Sequence, residues 1–168
     1  MKIRKIVSQI SEYTDTDELS GQDWELVLCS REAGLNAYAP YSGFRVGSAV
    51  LLENGEIVSA NNQENAAYPS GLCAERIAIF YAASNYPSVA IKAIAISNLS
   101  HGEEKSDIAK PCGSCRQVIS EYEDLSGIPI RIILDGGDKI IICEGIDTLL
   151  PLRFKKKDLN EHLSDQII

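Results

Sequence analysis

A chain of 168 residues with 45% hydrophobic content is long enough for one domain with a buried core and short for two. A formal charge of −8, with no basic stripe and interleaved aromatics to offset it, makes large nucleic acids poor candidate partners. The five cysteines are an odd number behind a start with no apolar run of signal length, which argues against a disulfide framework; with no stretch near ~20 apolar residues we expect a soluble, cytoplasmic protein without a membrane partner.

Residues 3–10, IRKIVSQI, fit an amphipathic strand or a short helix, and we expect an added edge strand inside an N-terminal extension of residues 1–20. The acidic run Thr14–Glu18 reads as a solvated link. Ser20 or Asp23 can cap a helix running to about Asn36, with Trp24, Val27, Leu28 and Leu35 on its buried side. Pro40 and Gly43 end that helix. A strand follows over Val46–Leu52, and Asn54-Gly55 signals a hairpin into a second strand over about Glu56–Asn61. Leu72 to about Ala83 reads as a helix, with Ile77, Phe80 and Tyr81 available for packing. The run Val89–Ser97 is almost continuously apolar, as a central strand buried on both faces should be. After a polar loop, Asn98–Lys110, come a helix over about Gly113–Tyr122, a strand over Ile128–Leu134, a Gly136-Gly137 turn and a partner strand over Lys139–Cys143. A two-residue turn makes that last pair antiparallel. A short helical tail closes the chain. The order predicts an α/β fold: a mixed five-stranded sheet with helices on its faces.

The chemistry gathers at two helix starts. Cys112-x-x-Cys115 puts two thiols one helical turn apart on the same face, and Cys73 heads a helix of its own. Cys29 and Cys143 lie among apolar neighbours and read as core filler. Three thiolates converging from helix N-termini suit a zinc ion and leave a fourth position open, the mark of a catalytic site. The alternative is a structural zinc closed by a fourth ligand, for which neither His101 nor His162 is well placed. Glu75, two residues after Cys73, is close enough to pass protons as general base and acid without ligating metal; it could also be a first-turn glutamate favoured by the helix dipole. Arg76 could offset the excess negative charge of three thiolates on zinc, or be an exposed helix arginine. Asn62 and Glu64, two apart at a strand end, point to the same side. Phe44, just before a strand, reads as core more often than as a ligand platform.

The run CAE at Cys73, then PCGSC at Pro111–Cys115 followed by Arg116 and Gln117, resembles the zinc signature of cytidine deaminases. YAPYSGFRVGSA (Tyr38–Ala49), NQENAAY (Asn62–Tyr68) and LLPLRF (Leu149–Phe154) resemble the small, homotetrameric, three-cysteine branch acting on free nucleosides, and the similarity spans about residues 22–154. The resemblance implies a three-layer α/β/α sandwich over a single domain of residues 21–168. It also implies one zinc per chain on Cys73, Cys112 and Cys115, with Glu75 carrying protons from water to N3 of the pyrimidine and on to departing ammonia. Asn62 and Glu64 would bind the ribose, mainly its 3′-hydroxyl, while Phe44 packs on the base and the Ala74 backbone meets the pyrimidine carbonyl. Phe154 stands where an aromatic from a neighbouring subunit closes the pocket. The expected reaction is hydrolysis of cytidine and 2′-deoxycytidine to the uracil nucleosides.

This sequence departs from the family pattern in its first 20 residues, in the length of the Asn98–Lys110 loop, and at Ser48 and Ser114, where alanine is commoner. Three rivals remain. A same-fold enzyme could act on a blasticidin-type nucleoside antibiotic, against which the Asn62–Tyr68 segment argues. A binding protein could carry structural zinc. Editing of cytosine in RNA is disfavoured by the charge.

Overall fold

The computed structural model describes residues 1–99 and 108–160. The loop residues 100–107 with His101, and the tail residues 161–168 with His162, lie outside the described residues. In chain order the elements are β1 (Ser11–Tyr13), α1 (Gly21–Gly34), β2 (Val46–Leu52), β3 (Ile57–Asn61), α2 (Ala74–Asn85), β4 (Ile91–Asn98), α3 (Gly113–Ser126), β5 (Arg131–Asp135), β6 (Ile140–Glu144) and α4 (Lys156–Asn160). Three-residue 3-10 turns intervene at Thr16–Glu18, Tyr68–Ser70 and Ile146–Thr148.

The strands form one sheet in the order β1-β6-β5-β4-β2-β3. Among the described strands only the β4–β5 pairing is parallel; β2–β3 and β5–β6 are antiparallel hairpins, as the Asn54-Gly55 and Gly136-Gly137 turns predict. Gly55 and Gly137 both take positive φ, the conformation these tight turns require of their glycines. The additional N-terminal strand is present but displaced. Residues 3–10 are exposed and irregular, and Ser11–Tyr13 pairs with β6, held by an ion pair of 2.8 Å between Lys139 and Glu12.

Helices cover both faces. Along β2 every residue is buried: Ala49 and Leu51 face α1, while Val46, Val50 and Leu52 face α2 and α3. On β4, Ala93 and Ala95 likewise face α1, and Ile94 and Ile96 face the other way. Under α1 these two strands therefore present the small residues Ala49, Ala93 and Ala95. A Cβ added at Gly47 would stand 1.8 Å from the Ser30 carbonyl oxygen, so α1 rests on bare backbone there. The Ser30 hydroxyl lies 2.5 Å from the hydroxyl of Ser97, whose own hydrogen goes to Asp135, and 2.8 Å from the Val27 carbonyl oxygen, so its one hydrogen faces both acceptors.

Ser20 caps α1 by accepting from the Asp23 backbone N–H. The buried stripe of α1 is Asp23, Leu26, Val27, Ser30 and Gly34, whereas Leu28 and Leu35 are exposed and Trp24 is half-buried under a cation–π contact with Arg31. The expectation for Leu28 and Leu35 fails because that stripe carries polar and glycine positions that hydrophobic patterning skips. Helix α2 similarly buries Ala74, Glu75, Ala78, Ile79 and Ala82, leaving Phe80 and Tyr81 outside. Among the described residues, no helix is long and apolar enough to cross a membrane.

Candidate active site

Two helix starts and two loops meet at the β2–β4 end of the sheet. Cys73 is the N-cap of α2 and Cys112 the N-cap of α3, both in extended backbone, with their carbonyls accepting the first helical bonds from Ile77 and Arg116. Neither side chain makes a capping hydrogen bond to its helix. The Cys73 and Cys112 sulfurs are 3.8 Å apart, those of Cys112 and Cys115 are 3.5 Å apart, and all three lie within 4.8 Å of one another. Sulfurs at ~2.3 Å from a tetrahedral zinc stand about 3.8 Å apart, so the trio fits that ion.

The electrostatics fit a cation as well. The Cys73 thiol is drawn down to about 5, first by its hydrogen bond with Cys115 and also by the Arg76 guanidinium, against the opposing effect of burial. Cys115 is pushed up by that same bond and by burial. Arg76 Nη2 lies 4.0 Å from the Cys73 sulfur, and among the described residues its buried Nε finds no hydrogen-bond partner. Arg76 is thus no ordinary surface arginine. Glu75, 5% exposed, has its carboxyl held above the ordinary value by burial and by the adjacent Cys73 charge.

Two cavities flank the trio. The smaller, about 140 Å³, is lined by Phe44, Asn62, Ala74 and Glu75 with Cys73, Cys112, Ala109 and Lys110 among its walls. The larger, about 420 Å³, runs from Cys73 and Arg76 past Asn62 and Glu64 to Tyr41 and Tyr68, whose rings meet edge-on. Asn62 borders both. Phe44 is 45% exposed and forms part of the pocket wall, so it is not a core aromatic.

Backbone pairing between loops holds this wall. Gln63 exchanges both backbone bonds with Leu72 at 3.0 Å, Tyr38 N–H donates to Asn62, and Glu64 N–H donates back to Tyr38. The Asn62 amide spans two residues, donating to the Phe44 carbonyl at 2.9 Å and accepting from the Val46 N–H at 2.8 Å. It keeps one N–H and a lone pair for a ligand. Glu64 accepts from the Ser42 hydroxyl and from the Tyr41 and Ser42 backbone N–H groups, and these bonds, the hydroxyl first, hold its carboxyl below the ordinary value.

Phe154 lines neither cavity of its own chain. It is 54% exposed, and its carbonyl accepts from Gln117 on α3 at 2.9 Å. Sequence reasoning missed Tyr41 and Ser42, which orient Glu64, and Ala109 and Lys110, which border the small cavity. The Ser42 hydroxyl in Tyr41-Ser42-Gly43-Phe44 is a local signal that could have flagged it.

A family model described as "Cytidine and deoxycytidylate deaminase zinc-binding region" matches residues 21–128. The chain is 40% identical over 136 residues to a cytidine deaminase of Sporosarcina psychrophila, covering 81% of this chain and 93% of that protein. It is 31% identical over 143 residues to a blasticidin-S deaminase of Bacillus cereus, covering 84% of this chain and 98% of that protein. A crystal structure of cytidine deaminase from Burkholderia pseudomallei superposes with a TM-score of 0.66 at 33% identity, covering 78% of this chain and 98% of that one.

Proposed function

The chain belongs to the cytidine and deoxycytidylate deaminase family, and from that membership we propose the site's working parts as well as its reaction. The protein is a zinc-dependent hydrolase that converts cytidine and 2′-deoxycytidine to uridine and 2′-deoxyuridine with release of ammonia, a step of pyrimidine salvage. The observation that carries the assignment of parts is the buried Glu75 beside a three-thiol cluster, on a cavity also walled by Phe44 and Asn62.

Cys73, Cys112 and Cys115 would hold one zinc per chain, and the bound ion makes a water acidic enough to react near neutral pH. Arg76 offsets the surplus charge of three thiolates. Glu75 accepts a proton as the water oxygen adds to C4 and passes it to N3; it then takes the proton of the new C4 hydroxyl and delivers it to the amino group as the C4–N bond breaks, which leaves a carbonyl at C4 and releases ammonia. Phe44 packs on the base, and the Ala74 N–H, one of the first-turn donors of α2 without a helical acceptor, meets the pyrimidine carbonyl. Asn62 and Glu64 take the ribose hydroxyls. A Glu64 carboxylate also disfavours a phosphate on the 3′-oxygen, which favours a free nucleoside over an internal position in a strand.

The assembly that suits this branch is a homotetramer in which Phe154 of one subunit closes the pocket of another. Support comes from the outward Phe80 and Tyr81 of α2, large apolar groups whose exposure a subunit contact would remove.

The blasticidin-S deaminase among the relatives favours a second reading, deamination of a blasticidin-type antibiotic. Steady-state rates on cytidine, 2′-deoxycytidine and blasticidin S, for the wild type and Glu64→Ala, separate the two. Our reading expects turnover of both natural nucleosides, with KM for cytidine raised about 10- to 100-fold by Glu64→Ala through loss of a charge-assisted hydrogen bond. Turnover of blasticidin S alone, indifferent to Glu64, overturns it.

A further inference from the structure

The segment carrying Phe154 is fastened to α3, the helix whose first turn bears Cys115 and whose N-cap is Cys112. Arg116 Nη1 donates to the Leu149 carbonyl at 2.8 Å, and Gln117 Nε2 donates to the Phe154 carbonyl at 2.9 Å. Between them Arg153 makes the main attachment. Its side chain is 6% exposed; Nη2 lies 3.1 Å from a Glu123 oxygen, Nη1 lies 3.0 Å from an Asp124 oxygen, and Nε lies 2.7 Å from an Asp147 oxygen. Nη1 also donates to the Ser120 hydroxyl and carbonyl, at 2.9 and 3.1 Å. Residues 116, 117, 120, 123 and 124 fall on one face of α3, so the tail is clamped along the helix rather than at a point.

Glu123 is itself pinned, because its other oxygen accepts from the Ile130 and Ile146 backbone N–H groups at 2.9 Å. The clamp is therefore anchored in the core. Immediately before Arg153, Leu152 stands 90% exposed at φ +58, a left-handed conformation unusual for leucine. Such a conformation persists where the surroundings over-determine it, and here the Arg153 network does so. The next side chain after the buried guanidinium is the exposed Phe154.

We propose that Arg153 is a positioning residue for substrate binding: its guanidinium fixes the tail on the zinc-holding helix so that Phe154 projects at the height of a neighbouring subunit's pocket. The proposal rests on the reading of Phe154 as the pocket-closing aromatic. A planar fork serves three separately placed carboxylates, whereas a lysine ammonium can meet them only as a point charge.

The test compares Arg153→Lys, Arg153→Met, Phe154→Ala and the Arg153→Lys/Phe154→Ala double variant of the zinc-replete full chain. KM and kcat for cytidine are read alongside thermal midpoint, zinc content and native mass. Phe154→Ala is expected to raise KM about 3- to 10-fold, the scale of one aromatic contact. Arg153→Lys should raise KM to a similar extent with kcat within about twofold, and the double variant should be no worse than Phe154→Ala alone. Should Arg153→Met fail to fold, Arg153→Lys carries the test. A fall in thermal midpoint with KM unchanged, or an Arg153→Lys effect that multiplies in full onto Phe154→Ala, overturns the positioning role. If Phe154→Ala leaves KM unchanged, the reading of Phe154 fails, and the route through it fails too; if Phe154→Ala raises KM and Arg153→Lys does not, only the role of Arg153 is lost.

Discussion

Asn62 is bound twice before any sugar arrives, through Phe44 and Val46, and this makes it a structural brace as well as a candidate ligand. Glu64 differs: its partners are Tyr41 and Ser42 on an exposed loop. Removing the two side chains should therefore have distinguishable effects. Asn62→Ala is expected to raise KM and also to lower unfolding free energy by about 1–2 kcal/mol, because it leaves the Val46 N–H, at the start of a buried strand, without its acceptor. Denaturant unfolding checks it, and stability equal to wild type would deny the brace. That Cys73, Glu75, Cys112 and Cys115 come together was legible in sequence because they lie in two short motifs at helix starts. The residues that orient Glu64 and hold Phe154 were less visible. Ser42 meets Glu64, and Arg153 meets Ser120, Glu123 and Asp124, only through tertiary folding, more than twenty positions away in sequence, and no local spacing announces such pairs.

At the scale of elements, strands and turns were read closely because their signals are local. The Val46–Leu52 strand and both glycine turns stand as expected, and the apolar run before the long loop is the middle of the sheet's five longer strands. Helix faces were read less well. The buried stripes of α1 and α2 mix Leu26, Val27 and Ile79 with small and polar residues, which an apolar pattern passes over. The three-residue β1 is chosen by the open edge of β6 and by Lys139, more than by its own Ser-Glu-Tyr. The small-residue contact between α1 and β2 gives a sharp prediction. Gly47→Ala places a methyl into the Ser30 carbonyl and should destabilise by about 3 kcal/mol, seen as a lower midpoint in urea. An unchanged midpoint would mean that α1 can lift from the sheet without cost.

Across the whole molecule, Asp135 joins three elements. It takes a two-pronged bond from Arg31 of α1, at 2.7 and 2.8 Å, and a hydroxyl bond of 2.7 Å from Ser97 of β4. Burial alone would raise its carboxyl, but Arg31, the Gly137 N–H and Ser97 together hold it below the ordinary value. A carboxyl depressed in the folded state adds stability that is fully present above the unfolded value near pH ~4 and is lost as pH falls through the folded value. Asp135→Asn should thus be less stable than wild type by about 2 kcal/mol at neutral pH, the partly exposed Arg31 being able to turn to water. The gap should close only below about pH 4. Unfolding curves between neutral and acid pH would show this, and a gap of constant size throughout would remove the linkage.

The most direct measurement mixes the zinc-replete protein with cytidine and follows loss of cytosine absorbance together with ammonia, beside Glu75→Gln. The wild type should release one ammonia per cytidine consumed, and Glu75→Gln should keep its zinc while losing about 10²- to 10⁴-fold in kcat, the scale of a general acid–base residue. Ammonia release by a zinc-loaded Glu75→Gln protein at the wild-type rate would contradict the proton-carrying role. No release by the zinc-loaded wild type would contradict the reaction itself.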